Sequence, residues 1–191
     1  MEIRIRPARP TDAPVIGEAI MDAIGAEARL KLAGSAERIP LVLQVFTELA
    51  ELEDSQYSYR NSLIAESETG EPAGAIVAYD GAELHGLRLA FIKKVADVLD
   101  MHIDPETMAD ETSDDEIYLD TLAVLPAFRR KGIARKLILA MAEKHAGSKP
   151  LGLLCEDGND NAYALYSKIG FKKVGMRPFA GIEMHHMVLV D

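Results

Sequence analysis

At 191 residues, 48% hydrophobic and 27% charged, the chain has the size and composition of one globular domain with a substantial core, and is too short to favour two. Its formal net charge of −10 argues against non-specific binding to nucleic acid or anionic lipid, and suits a cationic or amine ligand. No apolar run approaches the roughly 20 residues of a membrane span, the N-terminus lacks a signal peptide's apolar core, and the single cysteine, Cys155, allows no disulfide framework or cysteine-rich zinc site within one chain; these features point to the cytoplasm.

In chain order, Ile3 and Ile5 alternate with Arg4 and Arg6, which predicts a short half-buried strand. Thr11-Asp12 offers a helix N-cap and Pro14 fits the first turn; Val15, Ile16, Ala19, Ile20, Ala23 and Ile24 then recur at helical spacing. A second helix is expected over roughly 39–52, beyond Gly34-Ser35. Residues 62–66 and 72–79 read as two strands of an antiparallel hairpin, with Asp80-Gly81 as the next turn. An unusual helical and acidic insertion follows at about 86–115. Leu87, Phe91, Val95 and Leu99 mark an amphipathic helix, and the segment after it carries Asp104, Glu106, Asp110, Glu111, Asp114, Asp115 and Glu116. Its composition reads as a solvated loop with a disordered tip; the sharper alternative is a lid supplying substrate-selecting carboxylates.

Residues 118–135 are the centre of the chain. An apolar strand, Tyr118 to Val124, passes through Leu125-Pro126 into the basic loop Arg129-Arg130-Lys131-Gly132-Ile133-Ala134, and a helix then runs to about His145. Gly132 and the small Ala134 allow close approach of backbone to a ligand. The first-turn amides of the helix lack intrahelical acceptors, and its dipole favours an anion there. With Arg129, Arg130, Lys131 and Arg135 beside it, the loop suits phosphate or pyrophosphate. The loop alone is equally consistent with a solvated basic turn, and it matches neither a Walker A loop nor a dinucleotide fingerprint. Downstream, 151–155 reads as a buried strand, 161–168 as the last helix and 184–190 as the strand that completes the sheet.

The tract Asn159 to Phe171 reads N-D-N-A-Y-A-L-Y-S-K-I-G-F. Tyr163 and Tyr166, three apart, share one side of its helix, where a tyrosine is commonly a packing residue. With this tract the chain resembles the GNAT superfamily of acyl-CoA-dependent N-acyltransferases. The L-x-V-x-P strand appears as Leu122-Ala123-Val124-Leu125-Pro126, the [Q/R]-x-x-G-x-[G/A] loop as Arg129 to Ala134, and the N-x-x-A-x-x-L-Y-x-K-x-G-F motif in full. The resemblance spans nearly all the chain. It implies a mixed α/β (α+β) domain over 1–191, with a central, mostly antiparallel sheet and helices on both faces.

The resemblance also implies roles. Backbone groups of Leu122, Ala123 and Val124 would pair with the pantetheine arm of acetyl-CoA like an added strand. Arg129, Arg130, Lys131, Gly132, Ile133, Ala134 and Arg135 would form the pyrophosphate loop. Asn159 and Ala162 would stand by the pantetheine, and Tyr166 near the thioester sulfur as general acid. The expected reaction is acetyl transfer to a primary amine, on a small molecule or a peptide, by direct attack without an acyl-enzyme. Some relatives carry a glutamate just before the asparagine motif; the matching position here is Leu154. Asp120 is the first candidate for the general base, with Glu116 and Glu156 behind it, and its alternative role is a carboxylate hydrogen-bonded on the strand face. His185 and His186 read as surface or structural residues, Cys155 as a buried inert thiol, and no metal constellation emerges. A homodimer is expected from the resemblance. The rival reading is a non-catalytic acyl-CoA-binding regulatory module of the same fold.

Overall fold

The computed structural model describes residues 2–190. β1 (Ile3–Pro7) leads into α1 (Ala13–Ala33) and α2 (Ile39–Glu51), followed by β2 (Ser62–Ser67), β3 (Pro72–Asp80) and α3 (Leu84–Leu99). Then come β4 (Ile117–Val124), α4 (Ile133–Lys144), β5 (Leu151–Glu156), α5 (Asp160–Ile169), β6 (Phe171–Phe179) and β7 (Ile182–Leu189). The strands form one seven-stranded sheet in the order β1-β2-β3-β4-β5-β7-β6. All neighbours are antiparallel except β4 beside β5. The expected mixed, mostly antiparallel sheet is the one observed.

A core lies on each face of the sheet. On one, Ile16, Ile20, Phe46, Leu49, Phe91 and Val95 of α1, α2 and α3 pack on Ile64, Ala75, Val77 and Ala123. On the other, Ile133, Leu137, Ile138 and Met141 of α4 pack on Ala65, Ile76, Ile117 and Leu119, and α5 leans on the same layer. β3, covered on both faces, is accordingly a continuous apolar run rather than an alternating one. No described helix is long and apolar enough to cross a membrane.

α1 ends at Gly34 as expected, and within it the helix breaks at Gly25, whose φ of 75° and ψ of 173° only glycine readily adopts, and then resumes. Three local readings are corrected. Asp12 does not cap α1 with its side chain; its carboxylate is bonded by Arg6 at 2.7 and 2.9 Å and by the Arg9 amide at 2.7 Å. β6 is a strand absent from the sequence reading. It is an edge strand, largely exposed, with a register shift at Lys173/Gly175 that interrupts its period. Finally, the acidic segment after α3 is not simply solvated, because Glu111, Thr112 and Glu116 are buried.

Candidate active site

β4 and β5 begin side by side and then part. Only Ile117↔Leu151 and Tyr118↔Gly152 are paired, so the rest of β4 is bonded to β3 alone. The Leu125 amide is bonded to Ala73 O on β3. Alternation along the strand then turns the N–H and C=O groups of Leu122 and Val124 toward the open seam. Such an edge accepts an extended ligand as an added strand. One of its groups already has a partner, since Arg129 Nε donates to Val124 O at 2.8 Å.

The seam opens toward the basic loop. Arg130 and Gly132 both have positive φ, 64° and 75°, and Gly132 caps α4. A Cβ on Gly132 would meet no other protein atom within 4 Å, so the space in front of the loop is open. The Lys136 amide reaches Gly132 O, which leaves the amides of Ile133, Ala134 and Arg135 as the unbonded first turn. The predicted cations divide into two groups. Arg129 turns back to Asp22 of α1 at 2.8 Å, and Lys131 donates to Ala127 O and lies over the Phe128 ring. Arg130 and Arg135 make no side-chain hydrogen bond or ion pair among the described residues and remain exposed.

On the α1–α3 face of the seam is a cleft of about 490 Å³. Its floor takes Tyr118, Asp120 and Thr121 from β4 and Leu154 from β5, with Glu156 at the rim. Its walls are the part of α1 around Gly25 and the tip of the β6–β7 hairpin, with Phe46, Tyr57, Phe91 and Glu111 completing the lining. Opposite this floor Val77 pairs with Thr121 but Ala78 with Leu119, so Asp120 is the extra residue of a β-bulge. The bulge turns Asp120 and Thr121 to the same side. Asp120 accepts from Thr121 Oγ1 at 2.9 Å and from Tyr79 Oη at 3.4 Å. Burial, and next the charge of Glu111, push its pKa up to about 7, against the hydrogen bonds that favour the anion.

The remaining predicted residues are placed as follows. Tyr166 sits on the opposite face, packed against Phe171 with ring centroids 5.7 Å apart; burial and then Cys155 raise its phenol to about 12. Asn159 caps α5, its side-chain oxygen accepting from the Ala162 amide at 3.2 Å, at the point where β5 turns into that helix. Glu116 is withdrawn from the candidate bases. It is buried and bonded by His186 Nε2 and Thr112 Oγ1, each at 2.7 Å, and by the Ser113 amide at 3.2 Å. His185 pairs with Asp157 at 3.0 Å, and Glu156 is exposed at the cleft rim. Burial, then Glu156, raise the Cys155 thiol, which disfavours a nucleophilic thiolate.

The sequence reading named Glu111 only as one carboxylate of the acidic segment and missed its partners. Arg88 of α3, only 3% exposed, forms an ion pair with Glu111, also 3% exposed, and Tyr79 Oη donates to Glu111 at 3.2 Å. One signal for it was available: Arg88 interrupts the apolar face of α3, and a buried arginine requires an acidic partner.

The sequence model of the acetyltransferase (GNAT) family matches residues 36–171. The chain belongs to the GNAT family. The matched region runs from α2 through α5 and so contains the seam, the loop and the cleft floor. A crystal structure of an N-acetyltransferase from Staphylococcus aureus superposes with a TM-score of 0.75 at 25% identity, covering 97% of this chain and 100% of that one. A second acetyltransferase crystal structure gives 0.77 at 26% identity, covering 97% and 98%. An uncharacterized protein of Mycobacterium leprae is 38% identical over 63 residues, 33% of this chain; the match spans only 17% of that longer protein. Across these comparisons, likeness over the full length is carried by the fold, and the higher identity only by a short stretch.

Proposed function

We propose that this GNAT chain transfers the acetyl group of acetyl-CoA to a primary amine by direct attack. The observation that carries the reading is the bulge that sets Asp120 on the cleft floor beside the open seam. The residues present fit the cosubstrate. The seam edge of β4 offers Leu122 and Val124 backbone groups to its extended arm, and the Arg130-to-Arg135 amides and free guanidinia suit its phosphates. When bound, acetyl-CoA supplies an acetyl group activated as a thioester.

This chain's own residues do the rest. An alkyl amine is largely protonated at pH 7 and must lose a proton to attack. Asp120, with a pKa of about 7, is poised to take it, directly or through water. The Val124 N–H on the seam edge is the donor suited to negative charge developing on an acyl oxygen. Tyr166, held protonated, donates toward the departing sulfur. Glu111 and Asp120 give the cleft an acidic floor that draws a cationic acceptor, whether a small amine or a peptide. The open seam between β4 and β5 joins the two faces of the sheet and would bring acceptor and donor together, and positioning supplies much of the acceleration.

The test is acetyl-CoA binding by calorimetry, followed by thiol release against a panel of amines. Binding with release on one amine class establishes the activity and its acceptor. Binding without release on any amine favours the non-catalytic module, and no binding overturns the reading of 118–135.

A further inference from the structure

Asp120 shares its site with a second carboxylate. Glu111 comes from the loop that joins α3 to β4, and it and Asp120 reach one phenol: Tyr79 Oη is 3.2 Å from Glu111 Oε1 and 3.4 Å from Asp120 Oδ2. A phenol has one proton and satisfies one carboxylate at a time. The other oxygen of Glu111 is bonded by Arg88 Nη2, whose neighbour Nη1 reaches Asp110 at 3.2 Å while Nη2 also meets Ala109 O at 3.1 Å. Arg88 thereby ties three successive residues of the loop to α3. Gln56 Nε2 completes the shell, 3.5 Å from Glu111 Oε1.

We propose that Glu111, clamped by Arg88, is a positioning residue for proton transfer at Asp120: with Tyr79 it sets how firmly Asp120 holds its proton, and so the pH at which the acceptor is deprotonated. This rests on Asp120 being the base. A like charge close by disfavours the Asp120 anion, whereas the hydrogen bonds of Thr121, Gln56 and Tyr79 favour it, so Glu111 and Tyr79 act with opposite sign. The other groups facing Asp120 do not compete for that role. Tyr118 of β4 and Tyr57 beyond α2 are phenols that burial keeps protonated. Arg88 faces Glu111 from α3, Glu156 of β5 lies at the rim, and Glu27 and Lys31 of α1 stand across the cleft.

The experiment uses the full chain labelled with carbon-13 at aspartate carboxyls. Its titration is followed by NMR without any ligand, and the Asp120 signal is assigned by its loss in Asp120→Asn. Glu111→Gln should move the Asp120 midpoint to lower pH by about one unit, and Tyr79→Phe should move it to higher pH. The acid limb of kcat/KM for amine acetylation should follow in the same directions. A midpoint unmoved in both variants, with rates merely reduced, overturns the proposal. If one variant fails to fold, by circular dichroism, the sign of the other decides. Shifted midpoints without any change in the limb would instead mean that Asp120 is not the base, which sinks the underlying reading and leaves the coupling itself intact.

Discussion

Thr121 donates its hydroxyl to the carboxylate of its own neighbour, Asp120, at 2.9 Å. Adjacent strand residues ordinarily point to opposite faces of a sheet. The extra residue opposite Val77/Ala78 removes that alternation and directs both side chains into the cleft. The expected consequence is that Asp120→Asn lowers kcat by about 10²–10³ with acetyl-CoA affinity little changed. Calorimetry beside steady-state rates checks both halves.

The same substitution should stabilise the fold at alkaline pH. Burial and Glu111 raise the native Asp120 carboxyl from an ordinary 3.8 to about 7, so the native state holds this proton more firmly than the unfolded chain. Its contribution is complete below about pH 4 and is lost as pH rises through about 7. Asparagine imitates the protonated acid at every pH. The variant should therefore exceed the parent by on the order of 2–4 kcal/mol at pH 8, the gap closing toward pH 4. Urea unfolding at the two pH values reads the difference directly.

Tyr166→Phe should reduce turnover by about 10–100-fold and leave acetyl-CoA affinity near that of the parent. With the phenol at about 12, its ionisation should not shape the rate profile below pH 10. Equal turnover in parent and variant would remove Tyr166 from the reaction.

Gly132→Val should weaken acetyl-CoA binding at least tenfold. The new Cβ meets no protein atom within 4 Å, so the loss would come from blocked approach to the loop and from the φ of 75°. The backbone strain alone should cost about 1–2 kcal/mol of stability, measured by thermal unfolding.

Gly152→Ala tests the anchoring of the acidic loop. A Cβ there would collide with the Glu116 carboxylate, which three hydrogen bonds hold in place. A loss of about 1–3 kcal/mol is expected, with faster amide exchange at Thr112 and Ser113. Normal stability would show that Glu116 can swing aside.

The central strand, the basic loop and the α5 motif were legible because their signals are local. An apolar run between turns, a glycine before a helix and a 3.6-residue period all depend on near neighbours. So were the two helical layers and most of the sheet. β6 was not, because an edge strand with a bulge has one weakly buried face and little alternation to read. The break inside α1 was not legible either, because a lone Gly25 within a helical tract does not by itself show that the backbone leaves the helix there and re-enters it.

By itself the sequence determined the fold class, the family and the chain segments around the seam. Only the tertiary structure decided which carboxylates matter. Glu116 and Glu111 lie in one acidic run of similar composition, yet one is locked to His186 and Thr112 while the other lines the cleft beside Asp120. That separation comes from long-range partners: Arg88 on α3 draws Glu111 inward, and the bulge opposite β3 turns Asp120 to meet it. Charge pairing in a buried site depends on distances across the fold, which spacing along the chain does not encode.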